Sequence, residues 1–147
     1  MNLDKFTHKA QEAITGSRAI IARYGHSQVT PEHVLLAIAE QNDGVAAKII
    51  ELLNVKPETV VEEVSRYLAL QPKGSQITTA KDEIHVSSKL MQVLEAAAKE
   101  AERLKDEYVS VEHLLMALCD DSKAQAGTIL KRHNVTRERI LQVLTSI

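Results

Sequence analysis

Cysteine and aromatic residues are scarce in this chain of 147 residues. Cys119 is the single cysteine, so no disulfide can form within the chain, as is typical of proteins from reducing compartments. Aromatic side chains make up 3% of the residues, with one Phe and no Trp, whereas 44% of the residues are hydrophobic. The core must therefore consist of Leu, Ile, Val and Ala, which favours packed helices in one compact domain.

An excess of charge of either sign is also missing. The 18 Lys and Arg against 20 Asp and Glu give a formal net charge of −2. Phosphate binding requires clustered basic side chains, so this balance argues against nucleic acid or an anionic membrane as a partner. No apolar run approaches the roughly 20 residues of a membrane span, and residues 1–5 lack the apolar core of a signal peptide. We expect a cytoplasmic location.

Motifs that carry catalysis or hold cofactors are absent from the sequence. The five glycines stand far apart, so there is no phosphate-binding loop of the form Gly-x-x-x-x-Gly-Lys-Ser/Thr. There is no His-Glu-x-x-His and no Cys-x-x-Cys pattern. Cys119 follows apolar residues, which indicates a buried and unreactive thiol. The sequence therefore predicts no catalytic residue, no metal site and no cofactor in this chain.

The sequence does contain an internal repeat with an offset of 80 residues. Residues 29–38 align without a gap on residues 109–118, and Glu32-His33 falls on Glu112-His113. The same offset places Arg23 on Arg103 and Asn54 on Asn134. Two copies of this length are not a solenoid, which needs three or more shorter units. Two helical units related by a pseudo-two-fold axis are the simpler architecture, and the seam between them is a natural place for binding.

Apolar residues recur at helical spacing in both copies, and each copy is predicted to form four helices. The fold class is all-α, with one domain over residues 1–147, repeat 1 at 6–68, repeat 2 at 86–147 and a linker at 69–85. Thr7 and Thr30 are suitable N-caps, and Gly25 is a suitable helix stop. Asn54 and Asn134 tolerate the left-handed conformation that ends a helix.

The Glu-His pair at the start of the second helix in each copy admits two interpretations. Both residue types perform acid–base and metal chemistry. The favoured interpretation is structural, with Glu at the positive helix end and His bonded to the first turn. Asp106 lies at the turn before the second pair, where an acidic side chain caps the helix or contacts a ligand. A binding role for these carboxylates stays open at this point.

Three segments together resemble the N-terminal domain of Clp-type AAA+ unfoldases. Residues 6–14 read FTHKAQEAI, residues 31–36 read PEHVLL, and residues 106–115 read DEYVSVEHLL. The resemblance covers the whole chain. Within the family, the third segment and the spacer with Pro72 and Gly74 are similar to the ClpB-type disaggregases, with the ClpC and ClpA types as the alternative.

The resemblance implies a function. A ClpB-type protein is a homohexameric, ATP-driven threading machine that works with the Hsp70 chaperone system. Its N-terminal domain binds exposed hydrophobic segments of unfolded or aggregated polypeptides and passes them to the AAA+ ring. ATP and Mg²⁺ belong to ATPase modules that this sequence does not contain, so the domain alone is expected to be a monomer and not an enzyme. The alternative is a domain that docks adaptors or substrates for a ClpC- or ClpA-type protease complex.

The resemblance also implies which residues bind substrate. Thr7 matches the threonine of the opening motif, and Asp106 and Glu112 match an acidic pair around the second Glu-His segment. In ClpC-type domains, glutamates at the positions of Glu32 and Glu112 contact guanidinium groups of phosphorylated arginines. An apolar groove is expected on the first two helices of repeat 2, lined by Leu90, Val93, Leu94, Ala97, Tyr108 and Leu114.

Overall fold

Eight α-helices follow one another in the part of the chain that the structure describes. The structure is a computed structural model and describes residues 3–41, 43–74, 85–120 and 124–145. The helices are α1 (His8–Tyr24), α2 (Pro31–Glu40), α3 (Val45–Leu52), α4 (Pro57–Leu70), α5 (Ser88–Arg103), α6 (Val111–Asp120), α7 (Gln125–Arg132) and α8 (Arg137–Thr145). The predicted all-α fold with four helices in each repeat is confirmed. None of the described helices combines the length and apolar character needed to cross a membrane.

The first helix of each repeat begins at a hydroxyl cap. The Thr7 hydroxyl accepts a hydrogen bond from the Ala10 N–H at 3.2 Å. The Ser87 hydroxyl accepts from the Leu90 N–H at 3.1 Å. These bonds satisfy donors that have no partner within the helix. The two caps are 80 residues apart, so the same local sequence starts α1 and α5.

Left-handed residues end several helices, as the sequence predicts. Gly25 has φ 71° and follows α1. Asn54 has φ 64° after α3, and Asn134 has φ 61° after α7. A side chain with a Cβ atom is disfavoured in this region, and Asn and Gly tolerate it best. The chain therefore reverses at matching points of the two repeats.

The linker predicted at 69–85 begins later than expected, because α4 continues to Leu70. The Gly74 N–H donates to the Gly25 carbonyl at 2.9 Å, which joins the start of the linker to the end of α1. A Cβ atom on Gly74 would lie 2.5 Å from Cβ of Ser27, so only glycine fits this approach. The remainder of the predicted linker, 75–84, lies outside the described residues.

Reciprocal backbone bonds join the two repeats and reveal the pseudo-two-fold relationship. The Thr7 N–H donates to the Val109 carbonyl at 2.8 Å, and the Ser87 N–H donates to the Val29 carbonyl at 2.9 Å. A short parallel β-bridge accompanies each bond. Adding 80 to the residues of the first contact in repeat 1 gives the residues of the second contact in repeat 2. The entry segment of each repeat therefore pairs with the turn before the second helix of the other.

The core is a single cluster that spans both repeats. Helices α2 and α6 lie at its centre, contact each other and receive the other helices around them. Their buried aliphatic side chains include Leu35, Leu36 and Ile38 of α2 and Leu114, Leu115, Met116 and Leu118 of α6. Burying each such side chain stabilises the fold by about 1.5–3 kcal/mol. The Glu-His pairs that begin these two helices are therefore placed at the seam by the core itself.

Candidate functional site

The two histidines of the Glu-His pairs act as caps of their own helices. His33 Nδ1 accepts the Thr30 backbone N–H at 2.9 Å. His113 Nδ1 accepts the Ser110 backbone N–H at 2.9 Å. Both rings are 1% exposed. The structural interpretation of these histidines is confirmed, because the ring nitrogen takes the place of the Glu or Gln oxygen in a capping box.

The second nitrogen of each ring has a different partner in the two repeats. Since Nδ1 accepts from the backbone, the ring proton is assigned to Nε2 in both histidines. Nε2 of His113 lies 2.8 Å from Oδ2 of Asp106. Nε2 of His33 lies 2.9 Å from Nδ1 of His26. His26 and Asp106 are themselves 80 residues apart, so one repeat places an imidazole where the other places a carboxylate.

Glu32 lies in the seam and not on the surface. Its side chain is 6% exposed, and Oε2 accepts the Ala126 N–H at 2.8 Å. Ala126 belongs to the first turn of α7, so the carboxylate caps a helix of the other repeat and meets its positive end. The expectation that Glu32 contacts a substrate must therefore be corrected for this structure, because its carboxylate is already engaged and covered.

Glu112, the counterpart of Glu32, is half-buried and faces open space. It has no hydrogen-bond or ion-pair partner among the described residues. It lines a cleft of about 690 Å³ at the first turn of α3 and a second cleft of about 530 Å³ beside Asp106. Leu144 also lines both clefts, which places them side by side. We refer to the two clefts together as the seam groove.

The seam groove combines exposed apolar side chains with carboxylates. Val45 is 42% exposed, Leu104 39% and Tyr108 48%, which is unusual for large apolar groups. Leu141 and Leu144 of α8 complete the apolar part of the lining. The charged side chains of the lining are the carboxylates of Asp43, Glu51, Asp106, Glu107 and Glu112 and the amine of Lys48. Five carboxylates against one amine give the groove a negative potential.

Most of the apolar residues predicted to line a groove instead form the core. Leu90, Val93, Leu94, Ala97 and Leu114 are between 0% and 7% exposed. They lie where α5 packs against α6, and the apolar periodicity that suggested a binding face is the periodicity of this packing. A groove lined by these five side chains is therefore not a surface of this structure. Binding through them stays an untested prediction that requires α5 and α6 to separate.

The remaining predicted residues lie near one another around the seam. Tyr108 and Asp106 line the groove with Glu112. Thr7 is half-buried beside them, because its N–H is bonded to the Val109 carbonyl. Val45 of α3 was not predicted, and its signal is an exposed apolar residue in the first turn of a helix.

A smaller cleft in repeat 1 is the counterpart of the cleft beside Asp106. It has a volume of about 180 Å³, and its lining includes His26, Glu32, His33 and Tyr67. Burial raises the pKa of the Tyr67 hydroxyl, and the nearby Glu32 carboxylate raises it further. Repeat 1 therefore encloses the polar groups that repeat 2 presents to solvent.

Groups suited to catalysis are not assembled in the described part of the chain. No set of three or more His, Cys, Asp or Glu side chains there is arranged to hold a metal ion. Cys119 is 1% exposed, and burial, followed by the Asp120 charge, raises the pKa of its thiol to about 12. A thiol in that state is not a nucleophile at neutral pH.

Comparison with known proteins identifies the family. The model of the Clp repeat (R) N-terminal domain matches residues 5–133. This chain belongs to the Clp N-terminal domain family. The chaperone protein ClpB of Nitratidesulfovibrio vulgaris is 35% identical to it over 148 residues, an alignment that covers 100% of this chain and 17% of that protein. The chain thus spans about a sixth of the length of this curated relative.

Solved structures share the fold of this Clp N-terminal domain. The Hsp104 N-terminal domain from Candida albicans superposes with a TM-score of 0.75 at 26% identity, covering 93% of this chain and 87% of that one. The ClpV N-domain in complex with a VipB peptide superposes with a TM-score of 0.73 at 15% identity, covering 95% and 87% of the two chains. The sequence-based assignment to a ClpB-type Clp N-terminal domain is confirmed.

Proposed function

We propose that this chain is the substrate-recognition domain of a ClpB-type disaggregating chaperone. It binds exposed apolar segments of unfolded or aggregated polypeptides in the seam groove and passes them to an AAA+ ring elsewhere in a longer cytoplasmic protein. ATP hydrolysis, hexamer formation and cooperation with the Hsp70 system belong to that longer protein in this proposal. The domain itself contributes binding and no chemical step.

The observation that carries the proposal is the exposure of apolar side chains beside Glu112. Val45, Leu104 and Tyr108 are each at least 39% exposed, and they lie along one groove. An exposed apolar patch rimmed by polar residues marks an interaction site. A partly open groove of this kind supports weak binding, and six copies on one ring compensate through effective concentration.

The carboxylates around the groove define the preferred client. Apolar segments that also carry Lys or Arg match the negative lining, whereas segments with Asp or Glu are repelled. The peptide bound by the ClpV N-domain supports the use of this fold for peptide recognition. The alternative, adaptor docking for a ClpC- or ClpA-type protease complex, depends on both glutamates. Burial of Glu32 against Ala126 leaves only Glu112 for it.

Fluorescence anisotropy with three labelled peptides tests the proposal. All three peptides have the same apolar centre, flanked by Lys, by Ser or by Glu. We expect binding in the order Lys, Ser, Glu, with the difference narrowing as salt is added. Tyr108→Ser should weaken binding roughly tenfold, equivalent to about 1.4 kcal/mol of lost apolar contact.

Leu70→Ser is the matched control, because Leu70 is 79% exposed and lies outside the groove. Its affinity should equal that of the unmodified chain. Absence of binding by all three peptides at millimolar concentration, or equal effects of the two substitutions, would contradict the proposal. Amide NMR shifts on adding unfolded casein, a model client, should cluster at Val45, Tyr108 and Glu112.

A further inference from the structure

Two imidazole rings meet at the start of α2, and a single hydrogen bond joins them. Nε2 of His33 donates to Nδ1 of His26 across 2.9 Å, since the other nitrogen of His33 accepts the Thr30 N–H. Both rings are therefore neutral. Nε2 of His26 carries the remaining proton and is buried without a hydrogen-bond partner among the described residues. Each nitrogen of the His26–His33 pair has one defined role.

The groups around the pair provide little compensation for an added positive charge. Tyr24 stacks on His26, with ring centroids 5.8 Å apart and an interplanar angle of 18°. Lys73 packs against Gly25, the residue before His26, and is itself cationic. Glu32 and Tyr67 line the same cleft, and the Glu32 carboxylate already accepts the Ala126 N–H.

An added proton breaks a hydrogen bond wherever it binds. On Nδ1 of His26, it makes two N–H groups face each other at the position of the present bond. On Nδ1 of His33, it opposes the Thr30 N–H and removes the cap of α2. Burial, followed by the His26 charge, lowers the pKa of His33 to about 4, which agrees with this geometry. The neutral pair is thus a condition for the observed start of α2.

The second repeat contains a natural contrast. There Nε2 of His113 donates to the Asp106 carboxylate at 2.8 Å. A carboxylate accepts this bond throughout the pH range in which imidazoles become protonated. Since His26 and Asp106 occupy matching positions, the two repeats should respond differently to acid.

We propose that the His26–His33 pair is an acid-sensitive contact that controls the seam between the repeats. Proton uptake below about pH 6 releases the first turn of α2 and detaches Glu32 from Ala126. Glu32 immediately precedes His33, so movement of that turn displaces the carboxylate from α7. The Asp106–His113 pair keeps the start of α6 in place under the same conditions. The domain then opens at one side of its seam and not at the other.

NMR of the ¹⁵N-labelled 147-residue chain tests this between about pH 7.5 and about pH 5. Hydrogen-exchange protection of the Ala126 amide, corrected for the intrinsic rate, should fall roughly tenfold per pH unit, because one proton is linked to the opening. The Thr30 amide should follow it, and the Ser110 amide should not. His26→Asn, which keeps an acceptor for His33 without titrating, should make the Ala126 response flat.

Asp106→His places a second imidazole pair in repeat 2 and should give the Ser110 amide the same pH response. Constant protection of Ala126 across this range would overturn the proposal, as would an unchanged response in His26→Asn. If His26→Asn does not fold at pH 7.5, the contrast between the Thr30 and Ser110 amides in the unmodified chain decides the question. Equal responses of those two amides would then refute it.

Discussion

The Glu32 carboxylate accepts the backbone N–H of Ala126 at 2.8 Å, across 94 residues of sequence and across the seam between the repeats. This bond ties the start of α2 to the start of α7, and both partners are buried. One carboxylate therefore serves two helix ends, its own and that of a helix in the other repeat.

Glu32→Ala should lower the free energy of unfolding by about 1–3 kcal/mol, because it leaves the buried Ala126 N–H without a partner. Glu112→Ala is the matched control, since Glu112 occupies the same place in α6 and loses the same helix-dipole contribution. Urea unfolding followed by circular dichroism measures both. Equal losses in the two variants would show that the Ala126 bond contributes nothing.

The stability of the domain should depend on pH through His33. Burial, followed by the His26 charge, lowers its pKa from 6.5 to about 4, so protonation favours the unfolded chain. The stabilisation is complete above about pH 6.5 and is lost as the pH falls towards about 4, a change of roughly 3 kcal/mol. Urea unfolding at a series of pH values should show this loss.

His33→Gln should flatten that dependence, because Gln at this position can still accept the Thr30 N–H in a capping box without titrating. His8→Gln is the control, since the His8 side chain is 87% exposed. It should retain the pH dependence of the unmodified chain. A His33→Gln variant that loses stability with acid as steeply as the unmodified chain would assign the effect to other groups.

Local features of the fold were predictable from the sequence, because they depend on residues close in the chain. Thr7, Gly25 and Asn54 were identified as helix ends by residue type and position, and each performs that role. The repeat offset likewise predicted that the two halves would share one architecture. Such features need no knowledge of what packs against them.

The candidate site was less predictable, because it depends on contacts between distant residues. The apolar pattern of α5 shows that Leu90 and Leu94 lie on one face, but not that α6 covers this face. Likewise, Glu32 and Glu112 have matching neighbours in sequence, yet one is sealed against Ala126 and the other lines a groove. Only the packing of the two repeats separates these cases.

Cys119 should resist modification in the folded domain. Its thiol pKa of about 12, raised mainly by burial, leaves very little thiolate at pH 8. Reaction with Ellman's reagent should be at least about a thousandfold slower than for a free cysteine with its usual pKa near 8.5. The same reaction in concentrated urea should proceed at the free rate, and fast labelling without urea would show that α6 opens readily.

Two glycines of α1 and its end should respond to alanine in opposite directions. Gly25 has φ 71°, where a Cβ atom is strained and would also lie 3.4 Å from the Lys73 side chain. Gly25→Ala should therefore lower the free energy of unfolding by about 1–2 kcal/mol. Gly16 lies inside α1, and a Cβ atom there has nothing within 4 Å. Gly16→Ala should raise stability by about 0.5–1 kcal/mol, since alanine favours the helix interior. Thermal unfolding of the two variants beside the unmodified chain measures both changes, and a shared sign would contradict the assigned backbone conformations.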